Sequence, residues 1–409
     1  MSDSGLRIVA SVIVSFGFAQ AAFGQVARQE SAATKGDRPP ALFAGGVMVG
    51  KTLYISGKGD YRPDAAFPEK VKNCLGEIRK SLQSAGLDLR NVVKSFVYLE
   101  DPDKYAEMNK YYGEFFEGAY PARTTLGVAQ VPGPSRLEIT CIAYSDLSER
   151  KVIGKPRPGF PYSPGILAGD TLYVSGKGDQ LPDGTHPSTF EEQVRQCMRN
   201  VEATLKEAGL DFRHVVMSHV FLDKRENLEA ADRVYREFFE EGAEPACATV
   251  FVDWIPGGSH VEVTCIATTD LSARKVVRPT GLRSGPSFGS VTASPGVWAK
   301  DTLYVSELPG ITFEEGASAG KLADQVHQLA RNHTTVLESA GLRIDDLVSG
   351  SVYLRDMKDY DAMNAVYRPH FSRSGAVRTC LMPGAGIATD GILVEASFIA
   401  ARNRRDRPK

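Results

Sequence analysis

Apolar positions along the chain change their period in a fixed order. Phe67, Val71, Leu75, Ile78 and Leu82 fall at helical steps, the spacing of one buried helix face. Phe190, Val194, Cys197, Val201 and Leu205 repeat that stripe further on. Two short β-branched or apolar runs precede the first stripe, ALFAGGVMV and TLYISG, with a glycine between them suited to a hairpin. The tripeptide AGL follows, at Ala85, Ala208 and Ala340, and puts glycine where a helix end needs a left-handed residue. A strand (VVKSFVYL), a second helix (YAEMNKYYGEFF) and two final strands (ARTTLGVAQ, RLEITCIAY) complete the pattern. The predicted order is ββαβαββ.

That order is written three times. TLYISGKGD at Thr52 returns as TLYVSGKGD at Thr171 and, altered, as TLYVSELPG at Thr302. LRNVVKSFVYLED, FRHVVMSHVFLDK and IDDLVSGSVYLRD agree in the same frame, and the connecting segments DLSERKVIGKPRPG and DLSARKVVRPTG agree as well. Units at 40–147, 158–271 and 288–402 follow, each of about 110 residues, an ordinary small-domain size. Each predicts an α+β layer, one sheet with two helices on one face. The strands are apolar on both sides, as Leu137, Ile139 and Cys141 against Ile142 show, so the second sheet face needs a cover too. Three sheets turned inward around one axis supply it, which predicts an intrachain pseudo-trimer with no obligate partner subunit.

Composition narrows the function. With 42% hydrophobic and 24% charged residues the chain reads as a soluble globular protein, and a net charge of −2 offers no broad basic surface for nucleic acid. Six cysteines lack any CxxC or Cys/His spacing, so neither a metal site nor a disulfide framework is predicted; small buried hydrophobes are their expected role. At the start, Arg7 precedes the uncharged run IVASVIVSFGF, and small residues follow. Residues 1–24 therefore read as a secretory signal peptide, too short for the roughly 20 apolar residues of a membrane span. An exported protein, periplasmic or secreted, is expected, a cytoplasmic one being the alternative; no later segment is apolar enough for a stable membrane partner.

The residues LYISG, AGL with VVKSFVYLED, MNKYYGEFF, PART and LEITCIA resemble, in this order, the RidA/YjgF family of reactive-intermediate imine deaminases. The resemblance runs from about residue 40 to 402, three times over. It implies a chorismate-mutase-like fold, active sites in the clefts between units, and a reaction without metal or organic cofactor. It also implies roles: an arginine anchors the substrate carboxylate, and a glutamate on the next strand handles water and protons. A planar guanidinium suits a bidentate grip on a carboxylate, and a desolvated carboxylate suits general acid/base work.

Carried over position by position, repeat 1 supplies Ser56, Gly57, Asn109, Arg123 and Glu138, with Phe43 where the family has Tyr. Repeat 2 supplies Tyr162, Ser175, Gly176 and Glu262, but Asp232 replaces Asn and Cys247 replaces Arg. Repeat 3 supplies Ser306, Asn364, Arg378 and Glu395, with Glu307 in place of the glycine. On this basis Arg123, Glu138, Arg378 and Glu395 are the expected catalytic residues, and the others line the substrate site. Repeat 1 is the expected seat of a working Arg/Glu pair, repeat 2 is the degenerate unit, and Tyr162 is expected to complete a cleft whose arginine comes from another repeat. Lys58 and Lys177 read by default as solvated loop lysines. Two functions follow from the resemblance: hydrolytic deamination of small reactive imines or enamines, or a non-catalytic binder of small carboxylates or metabolites. A ribonuclease or translation inhibitor does not fit the charge and the missing aromatic-basic track.

Overall fold

The computed structural model describes residues 42–285, 289–313, 320–384, 386–387 and 390–402; the expected leader at 1–24 lies outside them. Repeat 1 runs β1 (Gly46–Val49), β2 (Thr52–Lys58), α1 (Phe67–Gln83), β3 (Val92–Leu99), α2 (Tyr105–Phe116), β4 (Ala122–Gln130) and β5 (Leu137–Tyr144). Repeat 2 follows as β7 (Gly165–Ala168), β8 (Thr171–Val174), α3 (Phe190–Glu207), β9 (Val215–Leu222), α4 (Leu228–Tyr235), β10 (Ala246–Phe251) and β11 (Val261–Thr268). Repeat 3 is β13 (Gly296–Ala299), β14 (Thr302–Pro309), α5 (Leu322–Ser339), β15 (Leu347–Leu354), α6 (Tyr360–Phe371), β16 (Val377–Pro383) and β17 (Val394–Ala401). The ββαβαββ order is thus present three times. The connecting segments add something the pattern did not predict: β6 (Arg150–Ile153) and β12 (Arg274–Val277) pair antiparallel with β7 and β13, extending the sheet of the unit that follows.

Helix boundaries obey local chemistry. Val71, Cys74, Leu75, Ile78 and Leu82 of α1 are buried, the face the spacing predicted. Gly86, Gly209 and Gly341 close the long helices at φ 74°, 75° and 74°, a left-handed turn that a side chain would strain. The leucine after each sends its N–H back to a leucine carbonyl in the last turn, at 2.9, 2.9 and 2.8 Å.

Within repeat 1 the sheet order is β1-β2-β5-β3-β4, and the other units repeat it with their linker strand added. β3 and β4 pair in parallel across α2, which leaves β4 at the sheet edge. That edge is where units meet. β4 pairs with β16 through Met382↔Gln130 and Pro383↔Val128, so the sheets of repeats 1 and 3 fuse. Repeat 2 joins at the same place, where the Gly127 N–H donates to the Trp254 carbonyl and the Asp253 N–H to the Gly127 carbonyl, both at 3.0 Å.

Each unit buries one core between its sheet and its helices. The opposite sheet faces pack on each other instead. Val93, Ala122, Tyr173, Met217, Ile266, Val297 and Tyr304 form one inner cluster from all three repeats, and Tyr98, Leu126, Phe221, Val250, Tyr353 and Leu381 form another. The two-sided apolar strands thus find their cover inside the chain, as a pseudo-trimer requires.

Candidate active site

Arg123 and Glu138 cannot meet within repeat 1. Arg123 lies opposite Ser95 on the edge strand β4, whereas Glu138 lies opposite Tyr98 on β5, two strands further in. Two strand spacings already separate them by about 9.5 Å. The expectation of an Arg/Glu pair inside one repeat is therefore corrected: an arginine at a sheet edge faces the neighbouring unit. Three clefts result, each with an arginine-side half from one repeat and a glutamate-side half from the next.

The first cleft joins repeats 1 and 2. The Arg123 N–H donates to Ser175 Oγ at 2.8 Å, and the Gly176 N–H donates to the Arg123 carbonyl at 3.0 Å. The guanidinium stands over the Tyr112 ring at 4.8 Å and the Tyr162 ring at 5.1 Å, so Tyr162 does complete a cleft whose arginine belongs to another repeat. Asn109 Oδ1 accepts from Arg123 Nη2 at 2.6 Å and fixes the fork. A cavity of about 880 Å³ opens here, lined by Tyr105, Arg123, Tyr162, Gly176, Lys177 and Glu262 among others. Two buried atoms on its walls, Arg123 Nη1 and Glu262 Oε1, have no hydrogen-bond partner among the described residues. Leaving such charged atoms unmet costs several kcal/mol, roughly, so a ligand presenting an acceptor to one and a donor to the other is favoured. Burial pushes the Glu262 carboxyl up to about 7, with Lys94, Arg123 and Lys177 pulling it back. Lys177 is no solvated loop residue: burial lowers it to about 8.

The second cleft joins repeats 3 and 1. Ser56 Oγ donates to the Arg378 carbonyl at 2.8 Å and accepts from the Arg378 N–H at 3.1 Å. Arg378 lies over Phe43 at 4.9 Å and Tyr367 at 5.1 Å, and its guanidinium donates to Asn364 Oδ1 at 2.7 Å and the Tyr360 hydroxyl at 3.2 Å. Glu138 packs against Gly57, and burial raises its carboxyl to about 8 against the pull of Arg378 and Lys58. Phe43 thus does the work of Tyr162 in a cleft of the same design, and Lys58, lowered by its own burial, stands where Lys177 does.

The third cleft joins repeats 2 and 3 and collects nearly every substitution. Cys247 holds the arginine position, its N–H donating to Ser306 Oγ at 2.9 Å. Asp232 accepts from the Thr292 N–H at 2.6 Å instead of orienting a guanidinium. Glu307 Oε2 accepts from the Thr249 N–H at 2.8 Å, so a side-chain carboxylate of the protein occupies the cleft. Strand β14 continues to Pro309, opposite Glu395, so the altered SELPG stretch is strand rather than loop. Neither repeat 2 nor repeat 3 is degenerate as a unit; their altered halves face each other, and their intact halves serve the other clefts. Burial raises both Glu307 and Glu395, and their mutual repulsion raises Glu307 further. A carboxyl raised on folding adds stability that is whole below its unfolded value and is lost as pH rises through the folded value. Melting temperature is therefore expected to fall between about pH 5 and about pH 8, and Glu395→Gln to reduce that fall by a few degrees in thermal scans. A slope unchanged in the variant contradicts this account.

The three serines hold neighbouring units together. Ser175 Oγ donates to the Ser163 carbonyl and Ser306 Oγ to the Ser294 carbonyl, both at 2.6 Å, while each accepts from the neighbouring unit's backbone. With Ser56, all are at most 1% exposed and act as staples between units. Among the described residues, no group of three or more His, Cys, Asp or Glu side chains is placed to hold a metal, and the six cysteines are buried and unpaired.

The model of the endoribonuclease L-PSP family matches this chain three times, at residues 36–145, 153–269 and 291–402. The chain belongs to this family, also called RidA. A mouse 2-iminobutanoate/2-iminopropanoate deaminase is 33% identical over 124 residues, 29% of this chain and 92% of its own. A RutC family protein of Saccharolobus solfataricus is 36% identical over 114 residues, 27% of this chain and 90% of its own. Each of these relatives thus aligns with about one repeat. A crystal structure of a chorismatase, at 15% identity and a TM-score of 0.52, covers 76% of this chain and 93% of its own and shares the fold.

Several residues of these RidA-type clefts escaped the sequence reading. Tyr112 and Tyr367 carry the ring beneath each arginine, and Tyr105 and Tyr360 stand one helical turn before each asparagine. Their signal was available as helical spacing: tyrosine comes three positions after Asn109 and Asn364, and again after Asp232. Lys94 gave no such signal, because a lysine inside an apolar strand run reads as an outward-facing residue.

Proposed function

We propose that this protein hydrolyses small reactive 2-imino acids or their enamines to 2-oxo acids and ammonia, without a cofactor, at its first and second clefts. One observation carries the reading: Arg123 and Glu262, from different repeats, meet at one cavity with a guanidinium nitrogen and a carboxylate oxygen both unmet. At the second cleft Arg378 lies close enough to Glu138 to pull on its carboxyl. The arginine takes the substrate carboxylate bidentately, held flat between aromatic rings and steered by its asparagine. The imine carbon then lies toward the glutamate. With its carboxyl raised to about 7 in one cleft and about 8 in the other, the glutamate takes a proton from water as it adds to that carbon and returns it to the departing nitrogen. The carbinolamine expels ammonia and leaves the ketone. Relatives with deaminase names, at 33% to 36% identity over one repeat, support the substrate class.

The competing reading, a binder without chemistry, drew on losses in two of the three repeats and on the expected export. The losses fall in one cleft, which removes the first of these supports. The test is direct: generate 2-iminopropanoate or 2-iminobutanoate in situ and follow its decay. Wild type accelerates the decay, and the rate rises with pH through the range where the glutamates ionise. Decay at the buffer rate, with carboxylate binding intact, favours the binder.

A further inference from the structure

Strand β3 carries a lysine, Lys94, that is 1% exposed and is not among the residues lining the first cleft's cavity. Its Nζ donates to Thr124 Oγ1 at 2.9 Å, to the Val174 carbonyl at 2.8 Å and to Thr264 Oγ1 at 2.7 Å. Each acceptor adjoins a residue of the first cleft. Thr124 follows Arg123 on β4, Val174 precedes Ser175 at the end of β8, and Thr264 lies two residues after Glu262 on β11. Thr264 spends its own proton on the Val174 carbonyl at 2.6 Å, so its oxygen is free to accept. Three acceptors around one nitrogen match an ammonium, which has three N–H groups to give. The Phe96 ring, 4.6 Å away, adds a further favourable contact for a cation.

The feature belongs to one cleft only. In the matching register, Lys94 opposite Ala122 becomes Met217 opposite Ala246 and Ser349 opposite Val377. In the second cleft Thr140 Oγ1 donates to the Ile55 carbonyl at 2.6 Å, as Thr264 does to Val174, but the matching position there is Ser349. We propose that Lys94 is a positioning residue of the first cleft: its ammonium ties together the strands bearing Arg123, Ser175 and Glu262 and sets a positive charge near the Glu262 carboxylate that the second cleft, with Ser349 at the matching position, lacks.

The surrounding charges agree. Lys94 is faced by Glu262 and Cys265 on β11, by Lys177 beyond β8, and by His219 on β9, whose imidazole is driven down to about 3 by burial and by Lys94. Around Glu262 stand Lys94, Arg123 and Lys177, with Tyr162 and with Cys197 on α3 close by. After burial, Lys94 has the largest effect on Glu262, which reaches about 7 where Glu138 reaches about 8. Burial pushes Lys94 itself down to about 7, while ionised Glu262 pulls it up, so the two charges support each other.

The kinetic arm of the test rests on the deaminase reading; the spectroscopic arm does not. In an Arg378→Ala background, where the first cleft alone turns over, Lys94→Met moves the acid limb of the kcat/KM profile upward by roughly 1 pH unit. Thr264→Val, a milder change that keeps the lysine, moves it the same way by less. In an Arg123→Ala background the limb of the second cleft stays where it is. A uniform loss of rate with the limb unmoved overturns the proposal, because that is what a purely structural lysine gives. In parallel, the Glu262 carboxyl is titrated by carbon-13 NMR, its signal assigned with Glu262→Gln. Its midpoint rises in Lys94→Met and Thr264→Val, and an unmoved midpoint overturns the proposal even where no imine is turned over, an outcome that would itself remove the deaminase reading.

Discussion

Replacing Gly57 and Gly176 together by glutamate, the residue repeat 3 carries at 307, is expected to silence imine turnover, each single change removing one cleft's share. A Cβ on Gly176 would stand 1.9 Å from Glu262 Oε1, and one on Gly57 1.9 Å from Glu138 Oε1. Neither contact can exist, so the glutamate carboxylate must move. The third cleft shows the outcome of such a change: Glu307 takes the Thr249 N–H and lies beside Glu395, and burial with mutual repulsion drives Glu307 toward its neutral form. A displaced acid/base group and a second carboxylate at the substrate's site should together lower the double variant's kcat/KM by roughly 100-fold or more. The reverse change, Glu307→Gly, restores no activity, because Cys247 cannot grip a carboxylate. Turnover near the wild-type rate in the folded double variant, as judged by its circular dichroism and melting, contradicts the site.

Much of the fold was legible because it is written in period and repetition. The stripe from Phe67 to Leu82, the glycines of AGL and the threefold return of TLYxS each express a local rule, and three copies average out local accidents. The two-sided apolar strands announced the inner core. The linker strands β6 and β12 were not legible: RKVI and RKVV are four residues long and become strands only because a sheet edge waits beside them.

The site was legible residue by residue but not in its pairing. Sequence places Arg123 and Glu138 in one repeat, and only sheet order shows that β3 lies between their strands. Spacing along a chain cannot reveal which edge meets which neighbour. For the same reason the losses at Cys247, Asp232 and Glu307 looked like two damaged repeats, when they are the two facing halves of one cleft. Ser56, Ser175 and Ser306 were expected in the substrate site from the family resemblance; each hydroxyl accepts a backbone N–H from the neighbouring unit and so fastens one unit's strand to the next.

The second large effect follows from that pairing: arginine and glutamate variants should sort by cleft rather than by repeat. Arg123 and Glu262 serve the first cleft, and Arg378 and Glu138 serve the second. Two losses in the same cleft are redundant, since either removes it, whereas two losses in different clefts leave none. Arg123→Ala combined with Glu262→Gln therefore keeps the whole share of the second cleft, close to the rate of Arg123→Ala alone. Arg123→Ala combined with Glu138→Gln falls to background, a loss of roughly 100-fold or more, although both changes lie in repeat 1.

Comparing these two double variants in the 2-iminopropanoate decay assay tests the central claim most directly. Pairing by cleft gives activity in Arg123→Ala/Glu262→Gln and none in Arg123→Ala/Glu138→Gln; equal activity in the two, sustained by Arg378 with Glu395, would mean that each repeat works with its own arginine and glutamate, and would contradict it.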